Sequence, residues 1–166
     1  RMAVSSYRRQ TRGGVGRSGI EISEEDFAEG LITGSTHDYI MFFTDKGRCY
    51  WLKVYEIPEG SYQAKGRPIV NLLSIEKDEK ITSFLPVKEF EPKAYVFMVT
   101  KLGRVKKTSL AEFSNPRKTG IIAISISPKD ELIDTFITSG KDEVILLTRS
   151  GLAQKFAEKD VRPMGR

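Results

Sequence analysis

Three segments of this 166-residue chain align on one another without gaps, and that internal repeat limits the possible folds more than any other feature. They are YIMFFTDKGRCYWLKVYEI at 39–57, YVFMVTKLGRVKKTSLAEF at 95–113 and EVILLTRSGLAQKFAEKDV at 143–161. Each opens on an apolar run that ends in threonine (Thr44, Thr100, Thr148). Each then places glycine three residues later (Gly47, Gly103, Gly151) and an apolar residue ten beyond it (Ile57, Phe113, Val161). The opening RMAVSSY matches the tail of the same unit, with Tyr7 in the place of Phe113. The chain is therefore expected to begin partway through one unit and to hold about three more, the last cut short, as a piece of something longer that starts on Arg1.

The units are built for strands. YIMFFT, YVFMVT and EVILLT are rich in aromatic and β-branched residues and too short for buried helices. The T-x-x-G step predicts a hairpin turn whose glycine has positive φ, closed by a G1 bulge. RCYWLK and RVKKTS return as second strands. Further strands are expected at IVNLLSI (69–75), ITSFLPV (81–87), IIAISI (121–126) and LIDTFIT (132–138). Four strands per unit is the size of a propeller blade. The expected fold is all-β, a propeller-like array with units near 1–35 (partial), 36–87, 88–138 and 139–166 (partial). SLAEF and VYEIP predict single helical turns, the first with a Ser109/Glu112 capping-box spacing.

Charge follows the repeat. The formal net charge is +5, which leans toward anionic partners. Residues 1–20 hold five arginines and no acid, and residues 21–29 hold five acids and no base. Those two blocks either pair or mark a binding edge beside a solvated turn. Cations also recur in the loop after each unit's last apolar residue: Arg8, Arg9 and Arg12; Lys65 and Arg67; Arg117 and Lys118; Arg162 and Arg166. A second set follows the hairpin glycine: Arg48 and Lys53; Arg104, Lys106 and Lys107; Lys155. Equivalent positions in a radial array fall on one edge, so these predict a basic rim suited to duplex DNA. The plainer reading of any one cation is a solvated loop, or a charge that keeps strand edges from pairing.

No catalytic constellation, metal-ligand spacing or cofactor motif is legible. His37–Asp38 in STHDY has the residue types of an acid–base pair and the setting of an exposed turn. RQTRGGVGRSG has the glycines of a phosphate loop but lacks its GK[ST] ending and the helix that follows. The lone Cys49 sits in an apolar run as a small hydrophobe, in keeping with a reducing cytoplasm. Tyr39, Tyr50, Tyr95, Phe42 and Trp51 are expected in packing roles. The N-terminus lacks the apolar stretch of a signal peptide, and the longest apolar runs are about six residues, too short to span a membrane.

STHDYIMFFTDKGRCYWLKVYEIPE (35–59), QAKGRPIVNLL (63–73), EFSNPRKTGIIAI (112–124) and DVRPMGR (160–166) resemble characteristic stretches of the gyrase A C-terminal domain family. The resemblance runs essentially end to end. It implies a β-pinwheel of about six blades that exchange strands, of which this chain would be roughly half. It also implies a DNA-wrapping rim, the remaining gyrase A and gyrase B subunits as partners, and a bacterial, cytoplasmic, nucleoid-associated setting. A catalytic tyrosine would lie in a part not present, with no small-molecule substrate and no membrane contact here. The family's QRRGGKG signature aligns with Gln10, Thr11, Arg12, Gly13, Gly14, Val15 and Gly16, so Thr11 and Val15 stand where the signature has cations. Arg8, Arg9 and Arg17 are placed to supply that charge. The candidate DNA-binding residues are thus Arg8, Arg9, Gln10, Arg12, Gly13, Gly14, Gly16, Arg17, Arg67, Lys106, Lys107, Arg117 and Lys118. The alternatives are a propeller-like protein-interaction scaffold and the related C-terminal domain of topoisomerase IV.

Overall fold

The computed structural model describes residues 1–16, 19–22 and 24–166. Among these the regular structure is strands and 3-10 turns alone. The three aligned segments form three antiparallel hairpins. These are β1 (Tyr39–Thr44) with β2 (Arg48–Lys53), β4 (Tyr95–Thr100) with β5 (Val105–Ser109), and β8 (Glu143–Leu147) with β9 (Ala153–Ala157). The strands β3 (Ile81–Val87) and β7 (Leu132–Thr138) pair with β1 and β4, and β6 (Ile121–Ile122) pairs with β2. The resulting sheets run β3-β1-β2-β6, β5-β4-β7 and β8-β9.

One turn, used three times, explains the T-x-x-G repeat. The glycine N–H donates to the threonine carbonyl at 2.8, 2.9 and 3.0 Å for Gly47, Gly103 and Gly151. The next residue's N–H donates to the threonine Oγ1 at 3.2, 3.1 and 3.1 Å for Arg48, Arg104 and Leu152. The glycines have φ of 77°, 80° and 85°, the left-handed region that a Cβ disfavours. Threonine thus ends the strand at Thr44 and Thr100, follows it directly at Thr148, and in each case caps its own turn through its side chain.

The apolar runs are continuous because β1 and β4 are buried on both faces. Alternate residues of β1 point opposite ways. Met41 and Phe43 join Trp51, Val96, Met98 and Phe113 in a core between the first two sheets. Ile40 and Phe42 join Tyr50, Leu52 and Leu73 on the far side. Free Cys49 is buried in the inter-sheet core as expected. On the third hairpin, Phe156 faces Phe97 at 6.4 Å between ring centroids, while Ile145 and Leu147 remain exposed.

Two expected strands differ. IIAISI is a strand only over Ile121–Ile122, and IVNLLSI is not one: Ile69–Asn71 is a 3-10 turn. The topology gives the reason. β6 follows the second hairpin in sequence but pairs with β2 of the first, so this segment is handed back to the preceding sheet. Residues 69–75 hold the same place after the first hairpin, and no strand precedes β1 among the described residues. Leu72, Leu73 and Ile75 pack on the first sheet instead. The helical turns form at Val54–Glu56 and Leu110–Phe113, but Ser109 Oγ donates to Pro92 O and does not cap the second.

Candidate nucleic-acid interface

A 3-10 turn leads into each cation-bearing loop, and in the three hairpin units it follows the second strand. The turns are Val4–Ser6, Val54–Glu56, Leu110–Phe113 and Glu158–Asp160. Tight turns then shape three of the loops: Gly14 N–H to Thr11 O at 3.0 Å, Ala64 N–H to Ser61 O at 3.0 Å, and Gly120 N–H to Arg117 O at 2.9 Å. Gly13, Gly66 and Gly120 there have φ of 80°, 77° and 70°. A Cβ on Gly14 would stand 2.8 Å from Gln10 Oε1, the movable end of a flexible side chain, and 3.1 Å from Thr11 O, so it would need only a small shift there.

The cations of these loops lie at the surface. Arg8, Arg9, Arg12, Lys65, Arg67, Arg117, Lys118 and Arg162 are exposed, as are Gln10, Gly13, Gly14 and Gly16. Among the described residues none of these cations forms an ion pair, so Arg8, Arg9 and Arg12 do not pair with the acids of 21–29. Val15, at one of the two signature positions without a cation, is 88% exposed. Arg17 lies outside the described residues. Arg1 is docked: its backbone amine donates to Pro58 O and its Nε to Ile57 O, both at 2.9 Å. Tyr62 bonds Ser6 O through its hydroxyl and packs edge-on against Tyr7 at 5.3 Å. The arginine-rich segment therefore departs from the loop that carries Lys65 and Arg67.

The same docking recurs. Gly60 N–H donates to Arg1 O at 3.0 Å, and Met164 N–H donates to Lys107 O at 2.8 Å, at equivalent positions of successive units. The intermediate equivalent is Pro116, which has no N–H. There β6 and Arg48 join the units.

The second basic set meets groups of the protein itself, and two of its lysines, Lys106 and Lys107, are buried. Lys106 is buried and donates to Ala123 O at 2.8 Å. Burial pushes its ammonium below the usual lysine value, against the opposing charge of Glu112. Lys107, 3% exposed, donates to Glu158 O at 2.9 Å, stands 3.7 Å from Glu158 Oε1 and lies over the Tyr95 ring. Both occupy the aligned places of buried Tyr50 and Trp51. Lys53 donates to His37 O, and Lys155 pairs with Glu143 at 2.6 Å. Arg48 meets Glu76 and Glu79. Arg104 acts on Asp130, the aligned counterpart of Glu79. Burial raises that carboxyl, but the Thr100 hydroxyl, the N–H groups of Leu102 and Glu131 and the Arg104 charge outweigh it and hold it below the usual carboxylate value.

Glu158 was not legible as a structural residue from charge alone. It is fully buried and accepts from Thr138 Oγ1 at 2.7 Å and from Gly140 N–H at 2.9 Å. The signal lay in the alignment, where Glu158 holds the place of apolar Val54 and Leu110.

Sheets joined by an exchanged strand, with exposed cations on repeated loops, define a propeller-like all-β module. The chain belongs to the DNA gyrase C-terminal domain, beta-propeller, family, whose model matches residues 1–33, 38–88, 94–139 and 142–166. It is 52% identical over 163 residues to the DNA gyrase A protein of Salmonella typhimurium and 50% identical over 162 residues to that of Escherichia coli. In each case 98% of this chain is covered, and the chain spans 19% and 18% of those relatives. Among solved structures, a DNA gyrase A C-terminal domain superposes with a TM-score of 0.68 at 25% identity, over 99% of this chain and 52% of that one. The C-terminal domain of DNA topoisomerase IV gives 0.71 at 33% identity, over 78% and 41%.

Proposed function

We propose that this chain is a non-catalytic DNA-wrapping part of a gyrase A protein. It binds duplex DNA along the loop cations, without sequence preference, and bends it. The chemistry is phosphate recognition: arginines neutralise charge, and glycine turns bring bare N–H groups close to the backbone. Bending stiff DNA costs several kcal/mol, so contacts from several units must act together. In the whole enzyme, with the rest of gyrase A and with gyrase B, the wrap presents a DNA segment for ATP-dependent passage that yields negative supercoils.

One observation carries this reading. The loop cations Arg8, Arg9, Arg12, Arg67, Arg117 and Lys118 are exposed and form no ion pairs among the described residues, while Lys106 and Lys107 one strand away are engaged internally. The test is ligation of nicked circular plasmid with the chain bound, followed by removal of protein and measurement of linking number. A positive shift that disappears when Arg8, Arg9 and Arg12 become alanine is expected. Salt-sensitive binding with no shift at any protein ratio would refute wrapping by this chain.

A further inference from the structure

The loop carrying Arg117 and Lys118 is fastened to the neighbouring sheet by side chains of that sheet. Its strand, β6, offers only two register pairs, Arg48 with Ile122 and Cys49 with Ile121. Arg48 adds what so short a strand lacks. Its NH2 donates to Thr119 O at 2.6 Å, its NH1 donates to Glu76 Oε1 at 3.1 Å, and its Nε lies 3.6 Å from Glu79 Oε1. Thr119 follows Arg117 and Lys118 directly. Glu79, with its side chain 3% exposed, also accepts from the Tyr50 hydroxyl at 2.9 Å. The Tyr50 ring in turn lies under Gly120, where a Cβ would stand 2.7 Å from the ring. Guanidinium, carboxylate and phenol therefore form one latch on the first sheet, and the Thr119–Gly120 peptide of the next unit is docked on it.

We infer that Arg48 is a positioning residue of the rim, holding the Arg117–Lys118 loop in one arrangement through its bond to Thr119 O. NH2 is bonded to a carbonyl and NH1 to a carboxylate, and Glu79 lies beside Nε, so the guanidinium is turned to the loop and acts on DNA through it and not by touching phosphate. A loop ordered in advance loses less freedom when it binds. The inference rests on the DNA-binding reading for its consequence, though not for its geometry.

The test has two arms on the 166-residue chain. The first is backbone amide hydrogen exchange without DNA. In Arg48→Ala, amides of 119–124 exchange at least about tenfold faster, while those of β4 are unchanged. Arg48→Lys keeps the charge, loses the fork, and falls between. Should Arg48→Ala not fold, Arg48→Lys and Tyr50→Phe carry the same comparison. Unchanged exchange at 119–124 overturns the latch.

The second arm measures affinity for a short linear duplex across a salt series. Arg48→Ala weakens binding about three- to tenfold in the parent chain and has almost no effect once Arg117 and Lys118 are alanine, because coupled residues are not additive. A fall of about one in the salt slope in both backgrounds would mean that Arg48 meets phosphate itself, and would overturn the positioning role. If the parent chain binds no duplex, the DNA-binding reading fails together with this consequence. Faster exchange in Arg48→Ala would then mark that failure as separate from the geometry of the latch.

Discussion

A lysine 3% exposed is tolerable only where its charge is met, and Lys107 meets Glu158 across the junction of the second sheet and the third hairpin. Removing one partner leaves the other charge buried. Lys107→Ala is therefore expected to cost about 3–5 kcal/mol in urea unfolding, with Glu158→Leu close behind. The double variant Lys107→Met/Glu158→Leu recovers most of that loss, because Leu110 fills the aligned position of the preceding unit. No recovery in the double variant would show that the pair does more than balance charge. Tyr50 gives a second residue-level test. Burial, the hydrogen bond to Glu79 and that carboxylate's charge raise its phenol from 10.0 to about 12, against the pull of Arg48. A folded value above the unfolded one means that folding favours the protonated phenol. Its stabilisation is complete below pH 10.0 and is lost as pH rises through about 12. Tyrosinate absorbance should show one tyrosine ionising late, and Tyr50→Phe should remove that step and flatten the stability loss over the same range.

The hairpin is the element that repeats, yet its three glycines are not equivalent. Gly103 has open space around its Cβ position, so Gly103→Ala meets only the left-handed φ, roughly 1–2 kcal/mol. At Gly47 a Cβ would stand 2.3 Å from Ile124 O, and Gly47 O accepts from the N–H groups of Ala123 and Ile124. Gly47→Ala must therefore also push away the exchanged segment, and should lower the urea midpoint well beyond Gly103→Ala. Equal losses would show that the segment gives way freely. The hairpins were legible in sequence because Thr and Gly carry the turn themselves. Pairing of β6 with an earlier hairpin was not, because two residues set that register and the partner lies far back in chain order, Arg48 NH2 to Thr119 O spanning 71 residues. The exposure of the loop cations was legible because they lie in glycine-bearing loops. The burial of Lys106 and Lys107 was legible only from their phase, because the aligned Tyr50 and Trp51 mark those positions as interior while the charges alone do not.

At the scale of the molecule, the net charge of +5 says little about where DNA lies, because much of the positive charge is answered within the fold. What matters is which cations have no internal partner. Two groups qualify among the described candidates: Arg8, Arg9 and Arg12 before the first hairpin, and Arg67, Arg117 and Lys118 on the two loops that follow. If each meets one phosphate, each releases counterions, and log K against log salt loses about 0.9 per contact. Alanine at the first three should flatten the slope by about 2.7, the second three should do likewise, and the two changes should add. Lys106→Met and Lys107→Met, tested where the chain remains folded, should leave the slope where it was. A first group with no effect on the slope would place DNA on the later loops alone and remove the N-terminal segment from the rim. A slope that falls with Lys106 or Lys107 would mean that DNA reaches those side chains by opening the sheet edges, and the closed inter-sheet packing would then not be the state that binds.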